Sequence, residues 1–238
     1  VQAGAHHMEI HQGGNGTLLG GVPGVAPAKV LVLGGGVVGS SAIRVALGMG
    51  ADVTVLDRSV SRLGELDEQY RGQLRTVYST AEALEMHARE ADLIIGAVLI
   101  PGAPAPKLVT AEMLANLKPG TVMVDVAIDQ GGCFETSRPT THADPTYEVD
   151  GVVHYCVANM PGAVARTATM ALTNATLPYI IRLASNEVGS LLMEDKHFGA
   201  GLNIVHGQLT HRAVAEALGQ MWTEPDQILR ASLHLKSA

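Results

Sequence analysis

The sequence is poor in cysteine, aromatic residues and positive charge, and each shortage argues against a class of protein. Its only cysteines are Cys133 and Cys156, so we expect no disulfide framework and a reducing compartment such as the cytoplasm. Aromatic residues make up 3% of the 238 residues, which predicts an aliphatic core. A net charge of −7 without a lysine–arginine cluster argues against nucleic acid as a partner. No apolar run approaches the roughly 20 residues of a membrane helix, so we expect no membrane segment.

The ten histidines do not form a metal-binding pattern. His6 and His7 are adjacent and would face different sides of a helix, and neither H-E-x-x-H nor a paired C-x-x-C occurs. We therefore expect no metal site.

The first residues have the pattern of a helix interior. The chain begins at Val1 in V-Q-A-G-A-H-H-M-E. We expect a fragment of a longer protein. The alternative is a processed natural N-terminus.

The strongest motif follows a predicted buried strand at residues 29–33. Gly34, Gly36 and Gly39 have the G-x-G-x-x-G spacing, which gives a tight turn, close approach of a pyrophosphate and close helix–strand packing. Asp57 ends the next predicted strand, so its carboxylate could bond ribose hydroxyls. This order of elements predicts a dinucleotide site. The alternative is a glycine-rich turn that binds nothing.

Strand and helix patterns alternate through the first two thirds of the chain, which predicts right-handed crossovers and parallel strands. Predicted strands cover residues 29–33, 52–56, 74–78, 91–98, 121–126 and 152–157. Predicted helices cover residues 37–50, 60–69, 81–88 and 111–117, capped by Ser59, by Ser79 or Thr80, and by Thr110. The fold class is α/β, a Rossmann-type doubly wound parallel sheet of order 3-2-1-4-5-6.

Three parts of the chain are expected. Residues 1–24 form an N-terminal helix and a glycine-rich connector, and residues 25–165 form the nucleotide-binding domain. Residues 166–238 form a helical C-terminal appendage that would pack on another domain or subunit. Pro178 is expected to kink or divide its first helix.

Ligands bind beyond the carboxyl ends of strands in such sheets. Asp129 follows the fifth strand there, and either transfers a proton or binds a substrate ammonium, or caps a helix or forms an Asx-turn. Asn159 either contacts the nicotinamide end or forms a turn. Ser79 either contacts adenosine or caps a helix. Cys133 has no histidine near it in sequence, and we interpret it as a packing residue.

Five segments together resemble the bacterial alanine dehydrogenase family. They are LLGGVPGVAPAKVLVLGGGVVG at residues 18–39, AVLIPGAPAPKLV at 97–109, VDVAIDQGGCFETSRPTT at 124–141, HYCVANMPGAV at 154–164 and TNATLP at 173–178. The resemblance extends over essentially the whole chain. It implies an NAD-dependent, reversible conversion of L-alanine and water to pyruvate and ammonia, in a homo-oligomer that is a hexamer in this family.

The resemblance also implies roles for particular residues. Asp129 matches the family's catalytic aspartate, and Asp57 would select NAD over NADP by repelling a 2′-phosphate. The residues that the resemblance and the glycine motif place around NAD are Gly34, Gly36, Val37, Val38, Gly39, Asp57, Arg62, Ser79, Val98, Leu99, Val126, Asn159 and Met160.

The chain also departs from the family it resembles. Members carry an N-terminal part that supplies an arginine and a lysine for pyruvate and a catalytic histidine, and none of these has a counterpart here. His6 and His7 lie outside that motif. We therefore expect NAD binding with little activity from this chain alone. The alternatives are a non-catalytic NAD-binding module and a transhydrogenase-like cofactor domain, against which the pair Asp129-Gln130 argues by resemblance.

Overall fold

Seven strands form one sheet that is parallel except at one edge. The computed structural model describes residues 1–98 and 105–236. Its strands are β1 (Lys29–Leu33), β2 (Asp52–Asp57), β3 (Leu74–Tyr78), β4 (Leu93–Gly96), β5 (Val122–Asp125), β6 (Thr146–Val149) and β7 (Val152–Tyr155). They lie in the order β3-β2-β1-β4-β5-β7-β6. The six strands other than β6 are parallel and keep the predicted order, so the doubly wound prediction is confirmed.

The antiparallel edge strand β6 is absent from the sequence-based prediction. It pairs with β7 through a two-residue turn in which Asp150 has φ 51° and Gly151 has φ 77°. Positive φ at both positions is the geometry of the tight turn that Asp-Gly favours between antiparallel strands. The dipeptide was therefore the available signal for this hairpin.

Helices cover the sheet where the sequence predicts them, although their ends differ by a few residues. They are α1 (Gln2–His7), α2 (Val37–Gly48), α3 (Val60–Tyr70), α4 (Ala81–Glu90) and α5 (Ala111–Leu114). The side chain of Ser59 caps α3, that of Thr80 caps α4 and that of Thr110 caps α5. Because Thr80 takes the cap of α4, Ser79 does not have that role.

The sheet is buried on both faces, as the apolar strands predict. Along β1, Val30 and Val32 belong to one buried cluster, whereas Leu31 and Leu33 belong to a second. Alternate residues of a strand point to opposite faces. Each face of the sheet therefore packs against its own apolar layer.

A second compact unit begins at Val164. It contains α6 (Ala165–Ser185), α7 (Val188–Glu194), α8 (Lys196–Gly199), β8 (Ile204–Val205), β9 (Gln208–Leu209), α9 (Arg212–Leu218) and α10 (Pro225–Lys236). The expectation of helices alone is wrong here, because β8 and β9 pair as a hairpin around the turn His206-Gly207, where both residues have positive φ. The helix α6 continues through Pro178 and is not divided, since a proline removes one hydrogen bond of the ladder and the other turns remain. Among the described helices, none is long and apolar enough to cross a membrane.

The buried histidine of β7 makes stability depend on pH. His154 is fully buried, and its Nδ1 lies 3.0 Å from the Val152 carbonyl oxygen while its Nε2 lies 2.8 Å from Thr136 Oγ1. Burial lowers the pKa of His154 most, Arg138 lowers it further, and the Val152 carbonyl and Asp125 oppose the shift. The folded protein therefore holds this ring neutral at pH values where an unfolded chain would protonate it.

We expect acidification to destabilise the protein through His154. Below the ordinary histidine pKa of about 6.5, the unfolded chain binds a proton that the folded chain does not, so stability falls as pH falls. Thermal unfolding followed by circular dichroism at pH 7.5 and pH 5.5 measures the drop in Tm. His154→Gln should reduce that drop. An equal drop in both proteins would show that His154 does not cause it.

Candidate functional site

The glycine turn between β1 and α2 forms one wall of the candidate site. Gly34 has φ +94°, and a Cβ there would lie 3.0 Å from the Ala97 carbonyl oxygen. A Cβ on Gly39 would lie 1.8 Å from the Gly34 carbonyl oxygen. By contrast, a Cβ on Gly36 would meet no atom within 4 Å. Gly34 and Gly39 therefore allow the chain to pack, whereas Gly36 leaves open space above the turn.

The N-terminus of α2 opens onto this space. Gly36 is its N-cap residue and supplies no side-chain cap, and no other described side chain accepts a hydrogen bond from the first turn. Val37, the first helical residue, is 88% exposed. Free N–H groups and the helix dipole make such an end a binding site for an anion.

Asp57 lies beside the glycine turn at the end of β2. Its Oδ2 accepts a hydrogen bond of 2.6 Å from the Gly35 amide, and its Oδ1 accepts one of 2.8 Å from the Ser59 amide. These contacts fix the carboxylate, and each oxygen keeps a lone pair for a further donor. The arrangement can bind a pair of hydroxyl groups.

Arg62 supports the glycine turn. Its Nε donates to the Gly35 carbonyl oxygen at 2.7 Å and its Nη2 to Ser40 Oγ at 2.6 Å, while its Nη1 pairs with Glu65. The resemblance places Arg62 among the residues around NAD. The contacts place its guanidinium against the Gly35 carbonyl group, next to Gly36, where the open space lies.

A cavity of about 540 Å³ joins several of the predicted residues. This volume is within the usual range for small-molecule and cofactor sites. The described residues that line the cavity are Leu33, Gly34, Gly36, Val37, Val38, Leu56, Asp57, Arg58, Ser79, Ala97, Val98, Pro106 and Leu108. Seven predicted residues are among them, namely Gly34, Gly36, Val37, Val38, Asp57, Ser79 and Val98.

Three other predicted residues lie elsewhere along the same edge of the sheet. Val126 follows β5, and its amide donates to the Gly96 carbonyl oxygen at 2.9 Å. Asn159 and Met160 follow β7, where the Asn159 carbonyl oxygen lies 2.6 Å from His142 Nε2. These residues do not line the cavity as described. Leu99 lies outside the described residues.

Asp129 lies in the loop after β5, residues 126–137, which we call the Asp129 loop. A short 3₁₀ helix, Ile128–Gln130, opens the loop, and Gly131 and Gly132 follow with φ 87° and 76°. Asp129 is exposed, and no hydrogen bond or ion pair joins its side chain to another described residue. Nothing in these contacts supports the cap or Asx-turn that the sequence left open.

The carboxylate that holds this loop in place is that of Asp125, which precedes the loop and which sequence reasoning missed. It is fully buried at the end of β5. It accepts hydrogen bonds from the amides of Ala127 at 3.1 Å, Cys133 at 2.9 Å and Phe134 at 3.3 Å, and from Ser137 Oγ at 2.5 Å. A single acid inside an apolar strand was the available signal, because a buried carboxylate requires several donors.

Both cysteines are buried, which disfavours nucleophilic chemistry. Burial raises the pKa of the Cys133 thiol, and the neighbouring Asp125 carboxylate raises it further. Burial also raises the pKa of the Cys156 thiol. Since the thiolate is the reactive form, neither residue is suited to act as a nucleophile. In the described part of the chain, no group of three or more His, Cys, Asp or Glu residues could hold a metal ion.

The parallel sheet, the glycine turn and the uncapped helix beside Asp57 together define a Rossmann-type protein of the dinucleotide-binding class. A family model described as alanine dehydrogenase/PNT, C-terminal domain, matches residues 1–212. The chain belongs to this family.

Individual relatives agree with this assignment. The chain is 66% identical to an alanine dehydrogenase of Halomonas elongata over 229 residues, which are 96% of this chain and 62% of the relative. It is 52% identical to an alanine dehydrogenase of Mycolicibacterium smegmatis, again over 96% of this chain and 62% of the relative. It therefore spans about three fifths of the length of the curated relatives that it matches.

Solved structures agree with the fold. An L-alanine dehydrogenase, 51% identical, superposes with a TM-score of 0.89 over 92% of this chain and 60% of that one. A transhydrogenase from Sinorhizobium meliloti, 29% identical, superposes with a TM-score of 0.65 over 79% of this chain and 51% of that one.

Proposed function

We propose that this chain is the NAD-binding portion of an alanine dehydrogenase, which converts L-alanine, water and NAD reversibly to pyruvate, ammonia and NADH. The observation that carries the proposal is one cavity lined by both Gly36 and Asp57. Asp129 follows the fifth strand at the same edge of the sheet, with its carboxylate unpaired among the described residues.

The residues of the cavity fit a dinucleotide. The free amides of α2 and the space above Gly36 suit a pyrophosphate, and Asp57 suits the two hydroxyls of the adenosine ribose. A 2′-phosphate would meet the negative charge of Asp57, so we propose NAD rather than NADP. Ser79 and Val98 line the same cavity and would contact bound NAD. When bound, NAD supplies the hydride acceptor for alanine oxidation.

Asp129 is the proposed acid–base group. Oxidation of an amino acid to an oxo acid requires protons to leave the amine and the attacking water, and a carboxylate free of other contacts can accept one of them. Asp129 supplies no positive charge, however. The reaction also needs cations that bind the carboxylate of alanine or pyruvate and polarise the carbonyl of pyruvate. We therefore propose that this chain alone has negligible activity.

Direct binding tests the cofactor half of the proposal. Titration of NADH into the chain, followed by cofactor fluorescence, should give saturable binding. NADPH should bind at least about 10-fold more weakly, and Asp57→Ala should weaken NADH binding. No NADH binding would refute the proposal.

Reconstitution tests the catalytic half. The joined enzyme places this chain after the N-terminal portion of the Halomonas elongata relative, which the family resemblance assigns to substrate binding. We expect L-alanine-dependent NADH formation by the joined enzyme and none by the chain alone. NADH binding without turnover in a folded joined enzyme would favour the non-catalytic module or the transhydrogenase-like domain. Native mass spectrometry of the joined enzyme tests the homo-oligomer, which we propose is a hexamer.

A further inference from the structure

The position of Asp129 depends on its backbone, because its side chain has no partner among the described residues. The two residues after Gln130 are glycines with positive φ, a conformation that glycine adopts easily and also leaves easily. A loop with such a turn needs other groups to hold one conformation. Two charged side chains supply those contacts.

Asp125 accepts hydrogen bonds from N–H groups of the Asp129 loop, as described above. Lys107 donates hydrogen bonds to carbonyl groups of the same loop. The Lys107 ammonium donates to the carbonyl oxygens of Gly131 at 2.5 Å, Gly132 at 2.9 Å and Phe134 at 3.1 Å. An ammonium has three donors, so these contacts use all of them. No carboxylate in the described part of the chain forms an ion pair with Lys107.

The segment that carries Lys107 also forms part of the cavity. Pro106 and Leu108, its two neighbours, line the cavity wall. The backbone joins the same segment to the Asp129 loop, since the Ala105 amide donates to the Gln130 carbonyl oxygen at 3.1 Å and the Leu108 amide to that of Cys133 at 2.7 Å. Lys107 therefore connects a wall of the cavity to the loop that bears Asp129.

We propose that Lys107 is a positioning residue for Asp129. Its ammonium fixes the two-glycine turn next to Asp129, so that the carboxylate keeps a constant place relative to a cofactor bound in the cavity. The proposal rests on the proposed function, in which Asp129 transfers a proton. Lys107 touches neither substrate nor cofactor in this role and acts only through the backbone of the loop.

The test is Lys107→Met in the joined enzyme. We expect kcat for L-alanine oxidation to fall roughly 10- to 100-fold, since a misplacement of about 1 Å can cost about 10²-fold. The Kd for NADH should change less than about twofold, because the cavity wall and the glycine turn remain. Lys107→Arg, which keeps the positive charge, should recover part of the loss.

Lys118→Met is the matched control. The Lys118 ammonium also donates to a backbone carbonyl, that of Glu90, at 2.6 Å, and it donates to Asp92 at 3.0 Å. Lys118 precedes the start of β5, however, whereas the Asp129 loop follows the end of this strand. Its removal should leave kcat unchanged. Equal losses of kcat in the two variants would assign Lys107 a general structural role and overturn the proposal.

A double variant separates positioning from independent action. In an Asp129→Asn background, Lys107→Met should cause no further loss of kcat, because the group that it positions is already inactive. If the losses of kcat from Lys107→Met and Asp129→Asn multiply in the double variant, the proposal is overturned. If Asp129→Asn leaves kcat unchanged, the proposed role of Asp129 fails. If only Asp129→Asn lowers kcat, the role of Lys107 alone fails.

Amide hydrogen exchange tests the same contact without turnover. In the chain itself, Lys107→Met should raise the exchange rates of the amides at residues 131–134 about 10-fold or more, whereas Lys118→Met should not. Lys107 is exposed, so the substitution should leave the fold intact. Unchanged exchange of the loop would overturn the proposal.

Discussion

Asp129→Asn in the joined enzyme is expected to lower kcat for L-alanine oxidation by at least about 100-fold, while NADH binding stays within about twofold. General acid–base catalysis contributes roughly 10²- to 10⁴-fold, and an amide of nearly the same shape cannot accept the proton. Because Asp129 is exposed and its side chain has no described partner, the substitution removes no contact that holds the fold. Steady-state kinetics and NADH fluorescence titration measure the two quantities.

Asp150→Asn is a suitable control for this variant. Asp150 is also exposed, and it lies in the turn between β6 and β7, where its φ of 51° suits asparagine equally well. It should lose neither turnover nor cofactor binding. If Asp129→Asn reduced NADH binding and kcat by equal factors, Asp129 would be a residue of the loop's structure and not an acid–base group.

Gly39→Ala is expected to destabilise the protein by at least about 3 kcal/mol. Its Cβ would lie 1.8 Å from the Gly34 carbonyl oxygen, so α2 and the glycine turn would have to separate. Forced overpacking costs about 1–3 kcal/mol and sometimes more, and the clash here is with backbone. For a chain of this size the expected loss is roughly 6–12 °C in Tm, measured by differential scanning calorimetry.

Gly36→Ala separates packing from binding at the same turn. A Cβ on Gly36 meets nothing within 4 Å, so Tm should hardly change. The methyl group would occupy the space proposed for a pyrophosphate, so NADH binding should weaken about 10-fold or more. Gly64→Ala, in an exposed and open position of α3, should change neither property adversely. Undiminished NADH binding by Gly36→Ala would remove the pyrophosphate from this turn.

The sequence predicted those parts of the site whose signals are local. The glycine spacing predicted a turn, and the acid at the end of the second strand predicted a carboxylate near it. In the structure the Asp57 carboxylate contacts the turn through the Gly35 amide. The cap of α4 was left open between Ser79 and Thr80, and the structure resolves it because Thr80 Oγ1 accepts from the Ala83 amide at 3.1 Å. Adjacent residues with similar side chains cannot be ranked by propensity alone.

The parts that the sequence did not predict depend on contacts between distant residues. Lys107 contacts carbonyl groups 24 to 27 residues away along the chain. No periodicity or motif records such a pairing, because it exists only after β4 and β5 are adjacent in the sheet. Asp125 was overlooked for a related reason, since its donors come from a loop whose conformation the sequence does not specify.

The uncapped start of α2 has a consequence for how stability responds to ligands. The helices α3, α4 and α5 complete their first turns with the side chains of Ser59, Thr80 and Thr110, whereas Gly36, the N-cap residue of α2, has no side chain for this role. An anion bound at Gly36 would take the place of that side chain and become a part of the secondary structure. A ligand that binds only the folded state adds about 2.7 kcal/mol at a concentration of 100 times its Kd. The concentration of a free anionic cofactor would therefore set the fraction of the chain that is folded.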